Sequence, residues 1–298
     1  MRLFIIGNGF DVSHCLPTKY ADFRKYLISK YGYSNILERP KIVCNSTDIS
    51  VDAKILIYLI DSVDIEGTEW NDFERYLGEI EYNELLNDDI DKDDEDGFKL
   101  INENDELASS YMKSFRNIPV LFTNWINSIN LNKIKDRPYT SLLTNKDLYL
   151  TFNYTKTLED IYNIQSENIC HIHGIQGSKL IVGHGIETLG DEYNDFRRYG
   201  VASSIFEDMN ACLYKNTNTC LEENKFFFER CSNVDEIFIF GWSANDIDIP
   251  YLRKIRKIID KREVEFHFTN YDRRFNKVKT MLERLLELGF NYKLGYYF

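Results

Sequence analysis

Two short stretches carry the residue types that proton transfer needs. Asn153-Tyr154-Thr155 follows one apolar run, and His171-Ile172-His173-Gly174 closes another. A histidine titrates near neutral pH, so it can take a proton from a bound hydroxyl or water. An asparagine carboxamide offers donor and acceptor together and can hold that hydroxyl or water in place. A histidine of this stretch, His171 or His173, is a candidate base, and Asn153 its candidate partner. Each residue also has a plainer reading. Asn153 is a favoured cap for a helix beginning near Thr155, and His171 is equally a satisfied core histidine. His171 and His173, two apart, should share a strand face. With His184 they have the ligand types of a metal site. No carboxylate or thiolate nearby in the sequence completes that set, and no metal is expected.

These residues need a scaffold, and the apolar runs define one. Leu3-Phe4-Ile5-Ile6 runs straight into Gly7-Asn8-Gly9-Phe10-Asp11. A short apolar run without alternation reads as a strand buried on both faces, the parallel-sheet pattern. The glycines permit a sharp turn and a close approach of backbone to a ligand. Such a turn, between a first strand and a helix, is where dinucleotide phosphates commonly sit. The fingerprint is incomplete, because no third glycine follows. Asp11 suits either a ribose hydroxyl or the cap of the first helix.

Further strands are expected at residues 147–152, 168–173, 179–182, 236–240, 263–268 and 291–298. About 140 residues between the first two strands look mostly helical. Within them Trp70, Phe73 and Leu77 share one helix face, and residues 107–129 carry a longer helical pattern. The acidic stretch from Asn87 to Asp96 lacks the glycine and closing glutamate of a calcium loop and reads as a solvated loop. The expected fold is an α/β doubly wound, mostly parallel sheet of Rossmann type. It would form one domain over residues 1–298, with a helical insertion at about residues 40–140.

Bulk properties bound the function classes. The 298 residues are 43% hydrophobic and 28% charged, as in ordinary globular proteins. A net charge of −12 with no basic tail argues against nucleic-acid binding. The six cysteines form no Cys-x-x-Cys pair and read as reduced thiols. No apolar run reaches the length of a membrane span of roughly 18 residues. The N-terminal run is too short for a signal peptide. A cytoplasmic protein without a membrane partner is expected.

Small or polar residues recur after each expected strand: Gly7 to Asp11 with His14, Asn153 to Thr155, His171 to Gly174, Gly183-His184-Gly185, Gly241 to Asp248, and Thr269 to Asp272. Four of the five histidines lie in these loops. Loops fixed by a rigid sheet are where active sites concentrate. A lipase-type elbow is not present, since Ser243 lacks the second glycine of G-x-S-x-G.

This arrangement resembles the sirtuin-like superfamily and, more closely, the bacterial abortive-infection H (AbiH) family. The resemblance is carried in order by Ile5-Ile6-Gly7-Asn8-Gly9-Phe10-Asp11 with His14, Leu16, Pro17, Thr18, Tyr20 and Phe23. Trp70-Asn71-Asp72-Phe73-Glu74, Phe152-Asn153-Tyr154-Thr155, His171-Ile172-His173-Gly174 and Gly183-His184-Gly185 follow. Gly241-x-Ser243 with Asp248 and Tyr251 completes the set. Cys15 stands where a glycine is expected, and Trp242 where a histidine is expected.

The resemblance implies an NAD-cleaving hydrolase that releases nicotinamide and ADP-ribose as an antiphage effector. It assigns the chemistry to Asn153 and His173. The physical reading agrees: glycosidic cleavage passes through an oxocarbenium-like state, and the already cationic nicotinamide leaves without protonation. NAD is then substrate rather than resident cofactor. Gly7, Asn8, Gly9, Asp11, His14, Gly241, Ser243, Asp248 and Asn270 are the candidate nucleotide-binding residues. A non-catalytic nucleotide-binding sensor is the alternative. A metal-dependent hydrolase built on the histidines is a third class. A protein deacylase is disfavoured, because deacylating sirtuins generally carry two cysteine pairs on zinc. Host-killing activity has to be restrained, so a second copy of the chain or a phage-derived trigger is an expected partner. The helical insertion is the natural lid or oligomer contact.

Overall fold

A computed structural model describes residues 1–32, 48–61, 74, 77–78, 80, 82–86, 95–190, 201–260, 262–275 and 277–297. The chain divides into two compact units. One comprises residues 1–19, 126–181 and 216–298, the other residues 20–125 and 182–215.

The first unit is built on six strands: β1 (Arg2–Ile6), β2 (Leu148–Thr151), β3 (Ile169–His171), β4 (Glu236–Phe240), β5 (Glu263–Phe268) and β6 (Asn291–Tyr297). Their order is β3-β2-β1-β4-β5-β6. Every pairing is parallel, so the sheet is wholly rather than mostly parallel. Helices α1 (Asn8–Ser13), α2 (Tyr20–Tyr31), α3 (Ile49–Asp61) and α4 (Glu95–Ser128) lie between β1 and β2 in the chain. Helix α5 (Thr157–Tyr162) joins β2 to β3. Between β3 and β4 come α6 (Ala202–Leu213), α7 (Thr217–Glu223) and α8 (Lys225–Arg230). Helix α9 (Ile249–Ile259) joins β4 to β5, and α10 (Asn270–Arg274) and α11 (Lys277–Glu287) join β5 to β6.

Alternation along the strands sorts the core into two layers. Leu3, Ile5, Leu148, Leu150, Ile237 and Ile239 pack with Phe228, Leu252, Ile255 and Met281 of the helices on one face. Phe4, Ile6, Tyr149, Phe238 and Phe240 pack with Phe10 of α1 and Leu158 of α5 on the other. The Phe4 ring stacks on Tyr149 and Phe238, at 5.2 and 4.8 Å between centroids. Burial on both faces is why these strands lack a polar alternation.

The strand expected at residues 179–182 is absent. Ile181 N–H instead donates to His173 O at 2.9 Å. Gly174, at φ +90°, would set a Cβ 2.4 Å from Lys179 O, so the chain folds back on itself there. Leu180 and Val182 are buried without entering the sheet. An apolar run thus met its burial requirement in a loop, which a short run cannot signal.

Among its described residues the second unit is helical apart from loops and an isolated bridge between His184 and Tyr214. Buried Ala108, Tyr111, Phe115, Ile118, Phe122 and Trp125 recur at helical spacing along α4. Phe23 of α2 stacks on Trp125 at 4.9 Å. Asp52 of α3 accepts from Ser114 and Asn117 at 2.6 and 2.7 Å, which satisfies a buried carboxylate. Trp70, Asn71, Asp72, Phe73, Cys44 and the acidic residues 87–94 lie outside the described residues. No helix among the described residues is long and apolar enough to cross a membrane.

Cys15 follows the C-cap His14 of α1 and sits at φ +58°, in the left-handed region. Glycine is the usual residue at that position, because a Cβ there costs about 1 kcal/mol or more. Cys15→Gly is expected to stabilise the chain by about 1 kcal/mol in urea unfolding. A glycine at position 15 is therefore a backbone requirement, met here under strain.

Candidate functional site

The register aligns the carboxyl ends of the central strands. Ile6 is level with Thr151 and Phe240, and Thr151 with His171. The loops carrying Gly7, Asn153, His173 and Gly241 therefore leave from one edge. Strand order reverses between β1 and β4, and ligands of open parallel sheets bind at such a point.

At that point the backbones after β1 and β4 touch. Gly7 N–H donates to Phe240 O and Gly9 N–H to Gly241 O, both at 3.0 Å. A Cβ on Gly7 would lie 2.5 Å from Gly241 O, and one on Gly9 2.6 Å from Gly241 Cα. Gly241 itself adopts φ +60°. These glycines are thus required for loop-to-loop packing. Of the first three amides of α1, those of Gly9 and Phe10 are already bonded, to Gly241 O and Gly7 O. Asn8 Nδ2 donates to Thr18 O at 3.0 Å and ties down the end of the same loop.

Asp11 is buried at the next turn. Its Oδ2 accepts from Thr155 Oγ1 at 2.7 Å and its Oδ1 from Thr157 Oγ1 at 2.9 Å. Burial pushes its pKa up to about 6, against the lowering effect of both hydroxyls, Asn153 and the His171 charge. Between pH about 4 and 6 the unfolded carboxyl is ionised while the folded one is protonated. The stability from this group is therefore full below pH 4 and lost as pH rises through 6. The loss is about 3 kcal/mol, from a shift of roughly two units. Asp11→Asn should remove that component, so urea unfolding at pH 4 and pH 7 should differ less than in the wild type by about this amount.

Asn153 emerges directly after β2 and is 93% buried, being 7% exposed. It does not cap α5, which starts at Thr157 with Lys156 at the cap position. Its N–H donates to Thr151 Oγ1 at 3.1 Å, and its O accepts from His171 Nδ1 at 3.1 Å. Its carboxamide lies near Asp11, yet the buried Nδ2 makes no hydrogen bond of good geometry. Leaving such a donor unsatisfied costs about 1–3 kcal/mol.

The two histidines after β3 part company. His171 Nε2 meets Glu159 Oε1 of α5 at 2.9 Å. His173 Nε2 instead meets the Tyr251 hydroxyl of α9 at 3.1 Å. Helix α5 contributes to one core layer and α9 to the other, so the shared face expected for the pair is not formed. The strand ends at His171, and a turn breaks the alternation. Among the described residues no group of three His, Cys, Asp or Glu is arranged to hold a metal ion. His173 lies among aromatic rings, 5.6 Å from Tyr251, 5.7 Å from Phe152 and 6.5 Å from Tyr154.

The remaining candidates are scattered around this edge. His14 is buried in a cluster with Phe10, Tyr139 and Tyr162. Its Nδ1 donates to Phe10 O at 2.7 Å and its Nε2 faces Tyr162 Oη at 2.6 Å. Burial lowers its pKa, and both nitrogens are occupied. Trp242 Nε1 donates to Asp248 Oδ2 at 2.9 Å, and its ring stacks on Phe152. Ser243 is half-buried, whereas Asn270 is exposed on α10. At the end of β5, Thr269 caps α10 through Asp272 N–H at 3.0 Å. His184 belongs to the other unit, where its Nδ1 accepts from Ile186 N–H at 3.2 Å. Two partners were not singled out in the sequence: Glu159, on a helix of only six residues, and Thr157, whose hydroxyl joins that of Thr155 on Asp11.

A family model described as bacteriophage abortive infection AbiH matches residues 3–270. No curated protein and no solved structure matches the chain. The match runs from β1 to the first residue of α10. The chain therefore belongs to the bacteriophage abortive infection AbiH family, which puts it in phage defence by abortive infection.

Proposed function

We propose that the chain cleaves NAD at the bond between nicotinamide and ribose, as a sirtuin-like enzyme on a Rossmann-type sheet. The observation that carries this reading is the Asn153 carboxamide. It is buried, its Nδ2 lies near the Asp11 carboxylate without a hydrogen bond of good geometry, and it stands at the carboxyl edge of the sheet beside the reversal of strand order. A bound ribose hydroxyl would give this donor the well-formed bond that it lacks. In this reading Asn153 orients a ribose hydroxyl or the attacking water. His173, oriented by Tyr251, takes the proton that the nucleophile loses. The buried aromatic surroundings of His173 keep bulk water from the cationic sugar carbon. The dinucleotide phosphates would lie along the loop after β1, which is packed backbone to backbone against Gly241. The role in defence would be depletion of NAD during infection.

A second reading is a nucleotide-binding sensor without turnover. It is favoured by the closed state of the loops: Gly9 N–H is bonded to Gly241 O, and Trp242 stands against Asp248 where the family resemblance leads one to expect a histidine. Incubating the protein with a panel of nucleotides, read by mass spectrometry, separates the two. Nicotinamide and ADP-ribose produced from NAD support the enzyme. Tight binding of a nucleotide with no product supports the sensor and overturns the enzyme.

A further inference from the structure

We infer that His171, braced by Glu159, is a positioning residue that aims the Asn153 carboxamide. The inference rests on the reading of Asn153 as a reacting group. The turn that carries Asn153 is not held by helix capping, because Lys156 makes no side-chain cap to α5. Side chains from elsewhere hold it. Thr151 Oγ1 takes the Asn153 N–H, and Asp11 takes the Thr155 hydroxyl. Gln176 N–H reaches Tyr154 O at 2.6 Å. The Asn153 carbonyl is held by His171 Nδ1 alone among the described side chains. A carbonyl accepts only, so Nδ1 must carry a proton. The other nitrogen of the same ring faces a carboxylate oxygen of Glu159 at 2.9 Å. Both nitrogens thus point at acceptors, and the ring cannot rotate without losing one of them. The main chain of Asn153 is fixed from two sides, and its side-chain amide is left unpaired. Such an arrangement preorganises a group for a ligand.

A histidine that only filled space would be indifferent to which nitrogen is kept. The two amide substitutions therefore discriminate. His171→Asn retains a donor at the Nδ1 position, and His171→Gln retains one at the Nε2 position only. Two measurements are made on each: kcat and KM for nicotinamide release from NAD, and hydrogen exchange of the backbone at residues 152–156. His171→Gln should lower kcat by about 10–100-fold with KM little changed, since loss of alignment costs about that much. It should also speed exchange across 152–156. His171→Asn should stay within about threefold of wild type in kcat and keep the slow exchange. Glu159→Leu removes the brace but keeps the Nδ1 donor, so it should lie with His171→Asn, with a smaller loss of kcat than His171→Gln. Equal effects of His171→Asn and His171→Gln on kcat overturn the positioning role. If the wild type releases no nicotinamide, the enzymatic reading fails by itself. Unchanged exchange at 152–156 in His171→Gln then overturns the positioning role separately, and faster exchange supports it.

Discussion

Asn153→Ala should abolish detectable nicotinamide release while leaving the fold intact. Loss of one preorganised donor at a reacting centre costs about 10²–10³ in kcat. The effect on stability should be much smaller. The substitution deletes a buried amide nitrogen that makes no hydrogen bond of good geometry, so much of the desolvation cost of that atom, about 1–3 kcal/mol, disappears with it. This gain offsets the lost packing of the side chain. Urea unfolding should therefore shift by about 1 kcal/mol or less. His173→Ala should lose about 10²–10⁴, the typical contribution of a general base. It also removes a partner of the Tyr251 hydroxyl at 3.1 Å and should destabilise more than Asn153→Ala. Full turnover in both variants would sink the assignment.

The second large effect is on stability, in the other unit. Lys215 is fully buried and its Nζ sits 2.7 Å from Glu74 Oε1. Lys215 N–H also donates to His184 O at 2.7 Å, next to the buried His184 ring. Burial lowers the His184 pKa to about 4, and the Lys215 charge adds to that. Lys215→Met should cost about 3–5 kcal/mol, because it takes the Lys215 cation away from the buried Glu74 carboxylate. The double variant Lys215→Met/Glu74→Leu should recover most of this. A double-mutant cycle in urea unfolding checks both statements. Additive losses would show that the pair is not coupled. The His184 shift has its own signature. The folded ring stays neutral down to pH about 4 while the unfolded one protonates near 6.5. Stability from this group is present above pH 6.5 and lost as pH falls through 4. This is the opposite sign to Asp11, whose raised pKa takes stability away as pH rises.

Much of the sheet was legible because burial on both faces leaves a strong mark. β1, β2, β4 and β5 match apolar runs that end in glycine, asparagine or threonine. The run at residues 179–182 misled for the same reason. Four residues do not distinguish a strand from a buried loop, and the hydrogen bond of Ile181 to His173 O is a tertiary event. The spacing of His171 and His173 also misled. A shared face follows only while the chain stays extended, and β3 stops at the first of the two. Asn153 as a helix cap was a fair local reading. Helix α5 begins four residues later, and its cap position is occupied by a lysine with no capping bond.

The sequence by itself determined the apolar strands, the turns that follow them and the residue types at their ends. These depend on neighbours a few positions apart. It also carried the family membership, because the motifs occur in order along the chain. Only the tertiary structure decided what those residues are bonded to. It spends the glycines of the first turn on contact with Gly241, and it seats His14 in an aromatic cluster. It sends His171 to Glu159 and His173 to Tyr251. Most of these partners lie ten to more than two hundred residues apart in the chain. Parallel strands need long crossovers, so the residues meeting at one sheet edge come from distant segments. The unpaired Asn153 amide is legible only there, since an orphan donor is defined by what surrounds it.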